Sequence, residues 1–162
     1  MKVTRKEGPG KAILKRLADE SLHVAQVGFL PGGKAYPETG ELVAAVAAKQ
    51  EYGDPGERIP PRPFMRPTIA ENKAEWRELV MDGCKLVAEG KLSVLDVLEG
   101  VGLQAEGDVV KKISKIWTPP LSPYTIQKRA ERAGLSVDQV SKKPLVDTGT
   151  MLAQITHAVV KR

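Results

Sequence analysis

The sequence predicts an α+β domain: a small antiparallel sheet formed by an early and a C-terminal strand, packed by two long helices. Three observations carry this. Alternating, β-branched segments stand near the two ends of the chain, at 21–29 and 155–160. Two amphipathic stripes lie between them, at 68–90 and 93–116, and a proline-rich stretch, IPPRPFMRP at 59–67, leads into the first. A chain of 162 residues with 41% apolar content has the size and composition for one such core. The reading divides it into a basic N-terminal segment with a short helix, 1–20, and a single α+β domain, 21–162.

Residues 11–20, KAILKRLADE, place Ile13, Leu14 and Leu17 on one side of a short helix. The charges around it, Lys2, Arg5, Lys6, Lys11, Lys15 and Arg16, read either as a solubilising tail or as a nucleic-acid arm; no aromatic residue is interleaved with them. The next segment, SLHVAQVGF, is apolar on both alternating faces, which predicts a strand covered on both sides. LPGGKAYPETG at 30–40 is a loop or hairpin-like excursion. ELVAAVAAKQEYG then spaces Leu42, Val43, Val46 and Ala47 as a helix, with Gly53 as its stop.

In IPPRPFMRP the prolines fix φ and bias the residues before them towards extended backbone. This predicts either a polyproline-like rod for an aromatic-lined groove, Pro60 to Pro63 having PxxP spacing, or a stiff connector, with Phe64, Met65 and Ile69 as anchors into the core and Arg62 and Arg66 turned outward as bidentate donors. The first long helix follows, with Ile69, Trp76, Leu79, Val80 and Val87 on one face and Cys84 as a small buried thiol. Ser93 with Asp96 reads as a capping pair for the second. Its stripe runs from Val94 through Val97, Leu98, Val101, Ala105, Val109 and Ile113 to Ile116, with Gly100, Gly102 and Gly107 as places for a kink. A short basic helix has Ser122 as N-cap, Pro123 at its first position and Gly134 past its end. Ser136 with Gln139 marks a further helical turn, and Ile155, His157, Val159 alternate with Thr156, Ala158, Val160 as the last strand.

The chemistry legible in these residues is sparse. Gly28, Gly33 and Lys34 have phosphate-loop spacing after a strand, but Ala35 stands where Ser or Thr would hold Mg²⁺, and Pro37 blocks the required helix. His23 and His157 lie on strands, where they could face each other across the sheet, but as a metal pair they lack a third ligand at suitable spacing. No cofactor and no catalytic constellation is expected. A single cysteine excludes an internal disulfide, and no apolar run is long enough to span a bilayer, so the expectation is a soluble, cytoplasmic chain without a membrane partner. The net charge of +5 and pI near 9.3 keep a basic nucleic-acid-binding module open as the alternative to a binding scaffold.

Four segments in order, AAKQEYG (47–53), IPPRPFMRP (59–67), WTPPLSPYTIQKR (117–129) and KPLVDTGTMLAQI (143–155), resemble the tail-completion or neck proteins of long-tailed bacteriophages, related to the lambda- and Mu-type morphogenesis proteins. The resemblance implies a structural, non-enzymatic subunit of a virion assembled in the bacterial cytoplasm. Such a subunit acts at the head–tail junction in a homo-oligomeric ring, beside neighbouring neck or tail proteins and close to packaged DNA. The residues expected to make its contacts are Tyr52, Arg62, Phe64, Arg66, Asp147, Thr148 and Gly149. Each also has a plainer role open to it: Tyr52 and Phe64 as core, Asp147 as an N-cap.

Overall fold

A computed structural model describes residues 9–162. The basic residues Lys2, Arg5 and Lys6 lie outside the described residues. The order of elements is α1 (Pro9–Glu20), β1 (His23–Gly28), α2 (Val43–Tyr52), α3 (Met65–Ala88), α4 (Val94–Ile113), α5 (Pro123–Ala133), a 3₁₀ turn (Leu152–Gln154) and β2 (Thr156–Lys161). The two strands form one antiparallel sheet, with His23 opposite Lys161 and Gly28 opposite Thr156. This is the α+β architecture that the alternating ends and the two long stripes predict.

The stripe of α4 is what holds the fold together. Val97, Gly102, Ala105, Val109 and Ile113 recur every third to fifth residue and are buried. Its start is a full capping box: Asp96 N–H donates to the Ser93 hydroxyl at 3.1 Å, and Ser93 N–H donates to the Asp96 carboxylate at 2.8 Å. The helix runs unbroken through its three glycines, and two glycines on the facing helices are contact points instead of kinks. A Cβ on Gly102 would come within 2.8 Å of the His157 ring, and one on Gly83 of α3 within 2.5 Å of Val97. Only a hydrogen there lets β2 and α3 approach α4 so closely.

Val109 and Ile113 continue into the central cluster with Val43, Ala47, Phe64, Met151 and Ile155. The core is therefore built where α2, the start of α3, the end of α4 and the approach to β2 meet.

Several expectations are corrected. The sheet is not covered on both faces: α4 packs under Ala25 and Val27, while Gln26 and Thr156 on the opposite face stay exposed. The supposed apolar face of α3 is only partly used, with Ile69 46% and Leu79 40% exposed. Cys84 is exposed, not buried, because α3 turns Gly83 and Val87 towards α4. Leu14 of α1 is 68% exposed. The connector is also shorter than its prolines imply: α3 begins at Met65, and Pro67 lies in its first turn, where a missing N–H costs the helix nothing.

Candidate interaction surface

Phe64 is 2% exposed and meets Phe29 edge to face at 6.3 Å between ring centres, so it anchors the connector in the core. Arg62 does not stand outward. It is 4% exposed, and its guanidinium donates to the carbonyls of Pro119 and Pro120, both at 2.7 Å, and to Gln50 Oε1 at 2.8 Å. Its own N–H donates to the Gln50 carbonyl at 2.6 Å. The inversion has its reason in a second proline-rich segment, 119–120, whose carbonyls are met by the several donors of this one guanidinium. Arg62 thus ties the two proline-rich segments together.

The residue that organises this region is one the sequence did not single out. Glu51, buried in the last turn of α2, accepts from the amides of Phe64 (2.6 Å), Met65 (2.9 Å) and Arg66 (3.1 Å), the free donors at the start of α3. Arg66 closes the arrangement, donating from Nε to the Glu51 carboxylate at 2.9 Å and from Nη2 to its carbonyl at 2.9 Å. Burial pushes the Glu51 carboxyl up, but the amides of Met65 and Phe64 and the Arg66 guanidinium outweigh it and hold it below the usual carboxylate range. Beyond this clamp, Arg66 lies over the ring of Tyr52 at 4.7 Å, and Tyr52 is 67% exposed. Of the four residues in this region expected to make contacts, the structure places Tyr52 and Arg66 at the surface and Arg62 and Phe64 inside.

Asp147, Thr148 and Gly149 lie elsewhere, on the rim of a cavity of about 240 Å³ shared with Tyr36, Gln50, Lys128 and Arg132. Asp147 is not an N-cap: its carboxylate pairs with Arg132 and stands 3.5 Å from Arg129 Nε. Arg129 is buried and donates to the carbonyls of Ser141, Lys143 and Val146, pinning the loop that carries Asp147. Burial, with the carboxylates of Asp147 and Glu38, pushes the Tyr36 phenol up. Gln50, bonded to Arg62 and lining this cavity, links the two groups of residues.

The remaining candidates find structural roles. After Lys34, whose N–H donates to Gln154 Oε1, Ala35 bridges to Leu42, so no helix follows to receive a phosphate. His23 and His157 do not face each other: His157 sits opposite Val27, between Glu99 (3.3 Å) and Glu106 (2.6 Å) of α4. The Glu106 hydrogen bond, with Glu99 beside it, raises the imidazole above its ordinary value despite burial. Among the described residues no group of three or more His, Cys, Asp or Glu is placed to hold a metal ion, and no helix is long and apolar enough to cross a membrane.

Compared with family models, with curated proteins and with solved structures, the chain matches none.

Proposed function

We propose that the chain is a structural assembly protein of a long-tailed phage particle, acting at the head–tail junction as a tail-completion or neck subunit and working by contacts within a ring of its own copies. The observation that carries this reading is the amount of surface a single copy leaves open. The chain exposes 11063 Å², whereas a compact monomer of its mass exposes about 7,900 Å². Setting aside as much as about 1,300 Å² for residues 1–8, the most that eight residues can expose, still leaves an excess of the size a stable protein–protein interface buries. Large apolar side chains contribute to it: Leu103 is 61% exposed, Trp117 59%, Met81 56% and Ile69 46%.

The rigid parts support the same role. Glu51, Arg62 and Arg129 fix the connector and the Asp147 loop with internal hydrogen bonds, so Tyr52, Arg66 and the 147–149 rim are presented already ordered. Ordered surfaces lower the entropy cost of association. The head–tail assignment itself rests on the four segments that resemble the neck proteins; in this role the partners are further copies and neighbouring neck or tail proteins, and the work is not catalytic.

A second reading, a basic nucleic-acid-binding module, is favoured by one surface: Lys111, Lys112 and Lys115 line a polar groove with exposed Trp117, over whose ring Lys143 lies at 5.1 Å. Native mass measurement over a range of concentrations, beside duplex-DNA titrations at several salt concentrations, separates the two. Assembly predicts oligomers that grow with concentration and little salt-sensitive DNA affinity. A strict monomer that binds DNA with a steep salt slope overturns it.

A further inference from the structure

A two-stranded sheet has two edges, and here the register tells which backbone groups each edge offers. Arg162 N–H donates to the Leu22 carbonyl at 2.7 Å, and these residues extend by one the pairing of His23 with Lys161. In an antiparallel ladder, pairs that exchange hydrogen bonds alternate with pairs that do not. Leu22/Arg162, Val24/Val160 and Gln26/Ala158 therefore bond inward. The N–H and C=O groups of His23, Ala25 and Val27 on β1, and of His157, Val159 and Lys161 on β2, point away from the sheet. Each strand has six residues, so the two outward rows match in length.

The flanks beside these edges differ in shape. Next to β1, Ala25 and Val27 border an apolar groove of about 320 Å³ closed by Met65, Ile69 and Trp76 of α3. Next to β2, α4 presents the flank that holds His157 through Glu99 and Glu106. Leu103, four residues after Glu99 and three before Glu106, projects from that flank, 61% exposed. One side is a strand edge with a groove; the other is a strand edge with an apolar projection.

The geometry points to head-to-tail sheet extension: the β2 edge of a second copy pairs with the β1 edge of the first, and its Leu103 flank covers the apolar groove beside α3. Rotation about an axis along the strands keeps β1 pointing one way and β2 the other, so the new pair is antiparallel without rearrangement. A contact between unlike surfaces repeats around an axis and closes a ring where the rotation between copies closes, whereas β1 pairing with β1 is a two-fold contact. The inference rests on the ring reading above and says which surfaces join. The surface excess is of the size that one such contact on each flank would cover.

Proline substitutions test it, because a proline removes one N–H and is tolerated where that N–H points off a sheet edge. Ala25→Pro blocks the β1 edge and Val159→Pro the β2 edge, and neither touches the inward ladder; Val24→Pro does, and serves as the control that unfolds. With folding verified by circular dichroism, each edge variant alone is expected to sediment as a monomer at concentrations where the wild type assembles. An equimolar mixture of the two forms dimers, since each supplies the edge the other lacks. Assembly of Ala25→Pro and Val159→Pro to the wild-type extent overturns the inference and leaves the ring standing. A dimer of Val159→Pro alone overturns it in favour of a two-fold contact, and a wild type that stays monomeric at every concentration removes both the ring and the edge contact.

Should a proline variant fail to fold, single cysteines in a Cys84→Ser background give the same answer. Chains carrying Gln26→Cys are mixed with chains carrying Thr156→Cys or Ala158→Cys. A disulfide between unlike chains is expected; one between two Gln26→Cys chains, or none in assembled protein, overturns the inference.

Discussion

The proline-rich connector and the β-sheet solve the same problem in opposite ways. Both are short of backbone partners: prolines lack N–H groups, and a two-stranded sheet has ladder bonds on one side only. Around the connector, groups are met from within the chain: Glu51 takes three amides at the start of α3, and Arg62 serves the carbonyls of Pro119 and Pro120. In the sheet, α4 covers one face, and on the proposed assembly the outward rows of β1 and β2 take up a second copy. The difference separates residues that make the subunit from residues that make the assembly. Substitutions in the first region should lower stability whatever the concentration. Substitutions that block only the outward backbone groups of the second should change association and leave the melting of the monomer alone.

The sharpest way to break the connector is Glu51→Ala. It strands three amides and the Arg66 guanidinium, and the expected loss is about 3 kcal/mol in urea or guanidinium unfolding. Glu51 also makes the fold acid-sensitive in a defined direction. Because its folded pKa is depressed, its contribution is present above its ordinary pKa and lost as pH falls through the lower folded value. Glu51→Gln should flatten that part of the stability profile. Arg62→Met comes next, at about 2 kcal/mol, since two proline carbonyls and Gln50 lose their donor while the apolar stem is kept. An Arg62 variant as stable as wild type but defective in assembly would return Arg62 to the surface role first expected of it.

The seat of the sheet gives a smaller effect. Gly102→Ala adds a methyl group within 2.8 Å of the His157 ring; a cost of about 1–2 kcal/mol is expected even after the gain in helix propensity. Pro61→Ala with Pro63→Ala should cost about 1 kcal/mol through a looser unfolded chain. The smallest effect is titration of His157. Its folded pKa is raised, so its contribution is full below the ordinary histidine value and is lost as pH rises through the folded one. His157→Gln should remove that slope from melting temperatures measured across neutral pH.

What was legible in the sequence was local. Ser122, Pro123 and Gly134 bracket α5, and Ser93 with Asp96 opens α4, because a cap and its partner lie within one turn. The strands were legible from alternation. Gly102 of α4 was misread because its reason lies in another element: His157 of β2 lies against it, as Val97 lies against Gly83 of α3, whereas Gly100 and Gly107 face open space. Arg62 was misread for the same reason, since its acceptors follow 57 and 58 residues later. Glu51 did leave a trace. A carboxylate in the last turn of a helix opposes the dipole of its own helix, and that misplacement makes sense once the start of α3 lies against it. Of the seven residues expected to make contacts, Tyr52, Arg66, Asp147 and Thr148 are exposed; Tyr52 ends α2 just before its glycine stop and Arg66 stands in the first turn of α3. Asp147 gave no local sign that its partners are Arg129 and Arg132.

Residue-by-residue amide hydrogen exchange, compared between dilute and concentrated protein, tests the central claim most directly. At high dilution the amides of Val24, Gln26, Ala158 and Val160 should be protected, and those of Ala25, Val27, His157 and Val159 should exchange fast. On assembly the second set should become protected while the first changes little. If the protein assembles and the outward amides still exchange as fast as they do in the dilute chain, the strand edges are not where the copies meet.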